Sequence, residues 1–259
     1  MNIHTIDSTY LGTARRITVL RPRYRGRPVR PGSVLYLNDG QNLFEPSRAF
    51  AGRSWQVAET VDRLLDARLI APLLIVGIDH GGVHRAREYL PVADERNPDA
   101  RRQAGHRHVD FVTREVVPFV EARYGISPGV SARAFGGSSY GAVAALMTVL
   151  ERPGFFGRLL LESPSLYVGG RVLLRQARRA RRWPARIYLG VGTAETGKAE
   201  INRETVRNVL LLDTILRRAG LGRKRLKLVV EEGATHSEDA WAARLPAALM
   251  FLFATHRQE

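Results

Sequence analysis

Apolar positions along this 259-residue chain fall into two alternating patterns. Short runs rich in Val, Ile and Leu predict strands at Arg16–Leu20, Val34–Asn38, Leu73–Asp79, Ala132–Gly136, Leu159–Glu162, Ile187–Val191 and Leu226–Glu231. Some of these, such as LLIVGI (73–78), are apolar without a break, as in strands covered on both faces. Between them the apolar period changes. Val57, Val61, Leu64, Leu65 and Leu69 recur at helical spacing, as do Val109, Val112, Val116, Phe119 and Val120. Further helices are predicted over Tyr140–Glu151, Arg171–Arg181, Asn202–Ala219 and Glu238–Ala254. Strands alternating with helices imply βαβ units, hence an α/β class with a doubly wound, mostly parallel sheet and helices on both faces. Residues 21–32 (RPRYRGRPVRPG) read as a loop joining antiparallel strands at the N-terminal edge. The polar stretch 91–105 is long for a compact fold, and such loops are often lids. With neither an internal repeat nor a second core, residues 1–259 are expected to form one domain.

The most informative segment is ARAFGGSSYGAVAALMTVL (132–150). A strand ends in Gly137-Ser138-Ser139-Tyr140-Gly141 and a helix follows at once, so G-x-S-x-G stands in the strand–turn–helix context its chemistry needs. Glycines flanking the serine let strand and helix pack closely around a strained turn. The helix N-terminus then favours negative charge developing at that point. The bland alternative is a helix cap at Ser138 or Ser139.

Serine needs a general base, and behind this motif the partners follow in the order serine, acid, histidine. Of the seven histidines only His236 and His256 come after Ser139. His236 sits between the last strand and the last helix, over the carboxyl end of the sheet, and is the expected base; His256 lies by the C-terminus. Glu195, the first acid after IYLGVG (187–192), is the expected third member, orienting the imidazole. Oxyanion donors are expected at the backbone N–H of Tyr140 and of Gln41, with Gly40 as the alternative to Gln41, where Asp39-Gly40 breaks an early strand.

Together these residues resemble the "putative esterase" group of α/β hydrolases, which holds esterase D, enterochelin and bacillibactin esterases, feruloyl and acetylxylan esterases and the mycolyl transferases. The matching motifs are LYLNDGQNLF (35–44), VGIDHGG (76–82), REYLPV (87–92), GGSSYGA (136–142), GVGTAE (190–195) and THSEDAW (235–241), in the group's order from about residue 15 to 254. The resemblance implies the α/β-hydrolase fold and a serine esterase with Ser139 as nucleophile, Glu195 as acid, His236 as base and oxyanion amides on Gln41 and Tyr140. Short-chain acyl esters are the expected substrates, with a siderophore trilactone or acyl transfer as the alternative. The group's siderophore esterases often carry an extra N-terminal domain or a membrane anchor, and its feruloyl and xylan members are usually secreted. Neither feature is seen in this sequence.

Composition changes this picture little. The chain has no cysteine, which excludes disulfides and a thiol nucleophile. No apolar run is long enough for a membrane span and no secretory signal is visible, so a cytoplasmic location is expected. Net charge is +15, with all but three of the 40 basic residues arginine, most densely over Arg171–Arg182. That charge keeps a non-enzymatic alternative open, a basic polyanion-binding surface on a hydrolase scaffold, although no specific nucleic acid is expected. A homo-oligomer is compatible with the sequence. Gly192–Lys198 imitates a phosphate-binding loop, but Ala199 stands where a hydroxyl should ligate magnesium. No cofactor and no metal are expected. His80/His84 lack a fitting carboxylate and His106/His108, two apart, share no face of a strand or helix, though His80 or His84 is placed to touch substrate. Trp55 fits a pocket wall and the core equally well.

Overall fold

In the computed structural model, residues 1–97, 103–126 and 129–255 are described. Eight strands form one sheet: β1 Asn2–Ser8, β2 Thr13–Leu20, β3 Ser33–Asn38, β4 Leu73–Ile78, β5 Arg133–Ser138, β6 Arg158–Glu162, β7 Arg186–Gly192 and β8 Leu226–Glu231. Their order is β1-β2-β4-β3-β5-β6-β7-β8. β1 and β2 run antiparallel at one edge, and every pairing from β4 to β8 is parallel.

Helices cover both faces. They are α1 Val57–Asp66, α2 Arg85–Tyr89, α3 Gly105–Asp110, α4 Val117–Tyr124, α5 Tyr140–Glu151, α6 Val168–Ala177, α7 Ala199–Arg218 and α8 Glu238–Phe253. Side chains alternate across the sheet as the period of two requires. Val34 and Tyr36 of β3 join a core with Val76, Val112, Val143 and Leu146. Leu35 and Leu37, their neighbours in the same strand, join a second core with Val61, Leu245 and Leu249 of α1 and α8. Both central strands β3 and β4 are buried along their whole length, which explains their unbroken apolar sequence.

Three expectations need correction. β3 is no edge strand: β4 lies between β2 and β3, and residues 21–32 carry a two-stranded ribbon pairing Arg23–Tyr24 with Arg27–Pro28. The true edge is β1, whose largely exposed side chains hid it from an apolar search. The 109–120 helix is α3 and α4 joined through a π-helical turn, Phe111–Val116. The arginine-rich helix stops at Ala177, so Arg178–Arg182 lie beyond its end.

Candidate active site

Three neighbouring strands end at the same edge of the sheet in residues with positive φ. Asp39 follows β3 (φ 59°), Ser139 follows β5 (φ 54°, ψ −124°) and Ser163 follows β6 (φ 42°). Non-glycine residues adopt this region at a cost and keep it only where their surroundings hold them. Ser139 N–H donates to Glu162 O at 2.9 Å, and Ser163 N–H to Gly190 O at 2.8 Å. The turn at Ser139 also needs its glycines. A Cβ on Gly141 would lie 2.6 Å from the Asp39 carboxylate, and one on Gly137 would lie 2.8 Å from the backbone of Gly141.

Ser139, Glu195 and His236, far apart in sequence, line one cavity of about 410 Å³. His236 Nδ1 lies 2.5 Å from Glu195 Oε2. A carboxylate only accepts, so Nδ1 carries the shared proton and Nε2 is left as the basic nitrogen. The Glu195 side chain is 1% exposed and its other oxygen accepts from Ser163 Oγ and Gly192 N–H, both at 2.6 Å. Burial pushes this carboxyl up, but the bonds from His236 and Ser163 outweigh it and hold Glu195 below the ordinary glutamate value. Trp241 meets the His236 ring edge-on at 5.0 Å and donates its Nε1–H to Ser163 Oγ at 3.0 Å. The imidazole is thus fixed from both sides. Ser139 Oγ, by contrast, rests 3.4 Å from Ser165 Oγ and makes no hydrogen bond to His236; such contacts are often loose without substrate.

Tyr140 opens α5, where the first N–H groups lack intrahelical acceptors. Gln41 lies on the 3₁₀ turn Gly40–Asn42 after β3, outside the cavity lining, and its side chain accepts from His80 N–H at 3.1 Å. Arg85 grips the buried Asp39 carboxylate with two bonds, at 2.7 and 2.8 Å, fixing the turn that carries Gln41. Asn38 ties this turn to α5 by donating to Gly141 O at 2.8 Å, and its own carbonyl meets His108 Nε2 at 2.9 Å. Burial drives His108 down to about 3, so it acts as a neutral donor. Beneath Glu195 lies a second acid, Glu162, paired with Arg244 at 2.8 Å. Burial raises Glu162 to about 7 despite that arginine.

The polar stretch after residue 91 does reach this site. Asp94 is buried and accepts from the hydroxyls of Tyr140 and, at 2.8 Å, Tyr167. Arg96 stacks 3.9 Å above the Tyr167 ring and pairs with Glu204 at 2.6 Å. Residues 98–102 of this stretch, and His256, lie outside the described residues.

Other candidates fall elsewhere. His80 and His84 are not on the cavity wall; the His80 ring accepts from Gly82 N–H, and His84 faces a different groove beside Arg87 and Arg107. Trp55 is a core residue, 2% exposed and packed 5.8 Å from Trp241. The phosphate-loop lookalike is occupied from within, since Glu195 takes the Gly192 N–H. Among the described residues no group of three acids or histidines is placed to hold a metal. Ser163, Asp94 and Asp39 escaped the sequence because each acts through a partner distant in the chain. The positive φ of Ser163 left no mark either, for serine is not a residue that announces it.

The model of the Esterase family, described as "Putative esterase", matches residues 8–252. The Bacillus subtilis protein YbbA is 21% identical over 247 residues, covering 94% of each chain. Among solved structures, the BES protein from Bacillus cereus superposes with a TM-score of 0.75 at 19% identity, covering 98% of this chain and 96% of that one. The siderophore hydrolase EstA from Aspergillus nidulans gives 0.72 at 20%, covering 97% and 94%. The enterochelin esterase from Shigella flexneri gives 0.74 at 22%; 97% of this chain aligns with 57% of that one. At such identities the likeness is one of fold.

Proposed function

The chain belongs to the "Putative esterase" family of carboxylic ester hydrolases, and from that premise we propose that it cleaves short-chain acyl esters through a Ser139–His236–Glu195 triad and an acyl-enzyme. The observation that carries this reading is the 2.5 Å contact of His236 with a buried, hydrogen-bonded Glu195, on the wall of the cavity that Ser139 also lines. Ser139 Oγ attacks the ester carbonyl as His236 Nε2 takes its proton. Glu195 holds the ring in the tautomer that leaves Nε2 basic and stabilises the imidazolium. The tetrahedral oxyanion accepts from the N–H groups of Tyr140 and Gln41, and one such donor is typically worth about 3–4 kcal/mol. His236 then protonates the departing alcohol. Water, deprotonated by the same nitrogen, releases the acid and restores Ser139.

A second reading of the same machinery is hydrolysis of a siderophore trilactone, favoured by the names of two structures that share the fold, an enterochelin esterase and a siderophore hydrolase. The test is hydrolysis of p-nitrophenyl acetate and butyrate and of an iron-free trilactone siderophore. Ser139→Ala is expected to lose up to roughly 10⁶-fold in kcat and Glu195→Gln on the order of 10⁴-fold. Which ester is cut fastest decides between the two readings. Equal rates for Ser139→Ala and the native enzyme on every ester would overturn both.

A further inference from the structure

The far wall of the cavity is one face of α7, formed by Ile201, Thr205 and Asn208 at spacings of four and three. Ile201 is apolar, and Thr205 spends its hydroxyl proton on Ile201 O at 2.9 Å. Asn208 is different. It is only 1% exposed and stands among Val209, Leu212, Ile215 and Leu216 on the buried face of the helix, where an apolar side chain would ordinarily serve. Its Oδ1 is buried with no hydrogen-bond partner, whereas Nδ2, which also has no partner among the described residues, is not buried and is the end open to the cavity. Asparagine is a weak helix former, and a buried amide without partners costs stability. A polar group entering the cavity would find the open Nδ2 end as its partner.

We propose that Asn208 is a specificity residue of this pocket and donates a hydrogen bond from Nδ2 to a hydroxyl- or amide-bearing part of the ester, so that the natural substrate is a polar-substituted ester and not a plain alkyl one. This rests on the serine-esterase reading. The neighbouring wall fits the same class: the Tyr167 ring, capped by the Arg96 guanidinium, offers a flat polar-edged surface beside Leu166. A site that binds a polar group by a buried partner discriminates strongly against the analogue that lacks it, because the partner is then left unpaired.

The test separates binding from turnover. Calorimetry would follow two polar probes, 4-acetamidobutyrate and 4-acetamidobutanol, and their plain counterparts, butyrate and butanol. These stand for the acid and the alcohol released by an ester, so either half of a substrate is covered. At least one polar probe is expected to bind native protein 10-fold or more tightly than its plain counterpart. Asn208→Leu should abolish that preference while leaving the plain probes within twofold, and Asn208→Ala should repeat the loss if leucine disturbs the helix. A preference that survives in both variants, or no preference in native protein, overturns the assignment. Rates for p-nitrophenyl butyrate are measured alongside on native protein and Ser139→Ala. If these two match, the esterase reading fails on its own, whatever the binding data say.

Discussion

At the residue scale the account turns on how Glu195 is kept charged while buried. Ser163 is the test of that. Its hydroxyl donates to Glu195 and accepts from Trp241, so Ser163→Ala removes one of the bonds that hold the carboxyl down. A carboxylate depressed in the folded state stabilises the fold above its unfolded value and loses that contribution as pH falls through its folded value. In Ser163→Ala the depression shrinks, so the contribution is smaller and is lost at a higher pH. Hydrogen bonds to a charged group are worth about 1.5–3 kcal/mol, and the variant should be less stable by about that much at pH 7. Thermal unfolding from pH 3 to 7 should show the gap to native protein narrowing below the ordinary glutamate range. A gap constant across that range would mean that Ser163 acts only through Trp241 and packing. The sequence singled out Ser139, Glu195 and His236, which the fold brings to one cavity, because a motif named the serine and chain order ranked its partners. Ser163, Asp94 and Asn208 were not, since their significance lies in an orphaned atom or in a contact made across the fold.

At the scale of elements, the junction between β5 and α5 depends on the absence of a side chain at Gly141. Alanine there would press against Asp39, which cannot retreat because Arg85 clamps it. Overpacking of this kind typically costs about 1–3 kcal/mol. Since Asp39 precedes the turn bearing Gln41, Gly141→Ala should lower kcat on p-nitrophenyl butyrate by more than 10-fold, a larger loss than its melting temperature alone would suggest. Unchanged kcat with a lowered melting temperature would detach this turn from catalysis. Elements with a strong signal were readable: α5 falls where the pattern put it because it packs one continuous apolar set, and β8 does so because, although it is the other edge strand, it keeps a run of Leu and Val between charged residues. β1 was not readable. An edge strand has one unpaired side and little to bury, so its sequence carries mostly polar signal.

For the whole molecule, the +15 charge is the feature the fold leaves least explained. Many of its arginines are engaged in pairs that serve structure: Arg85 with Asp39, Arg244 with Glu162 and Glu231, Arg133 with Glu121. Among the described residues no helix is long and apolar enough to cross a membrane. If catalysis is local to the cavity, kcat/KM on a neutral ester should change less than twofold between 0.05 and 0.5 M salt, since screening acts mainly on exposed, distant charges. A fall of 10-fold or more would point to the basic surface as part of substrate capture. The overall architecture was legible because every strand from β3 onward is followed by helix before the next strand, and the placing of β3 inside the sheet was not, since strand order is set by crossovers that leave no local trace.

The central claim is that Ser139 is a nucleophile activated by His236. Labelling with a fluorophosphonate probe, read by intact mass and by peptide mapping, tests it without knowledge of the substrate. The account predicts a single adduct on Ser139, absent from Ser139→Ala and formed at least 100-fold more slowly in His236→Ala. No adduct in native protein, or an adduct on another serine, would contradict it.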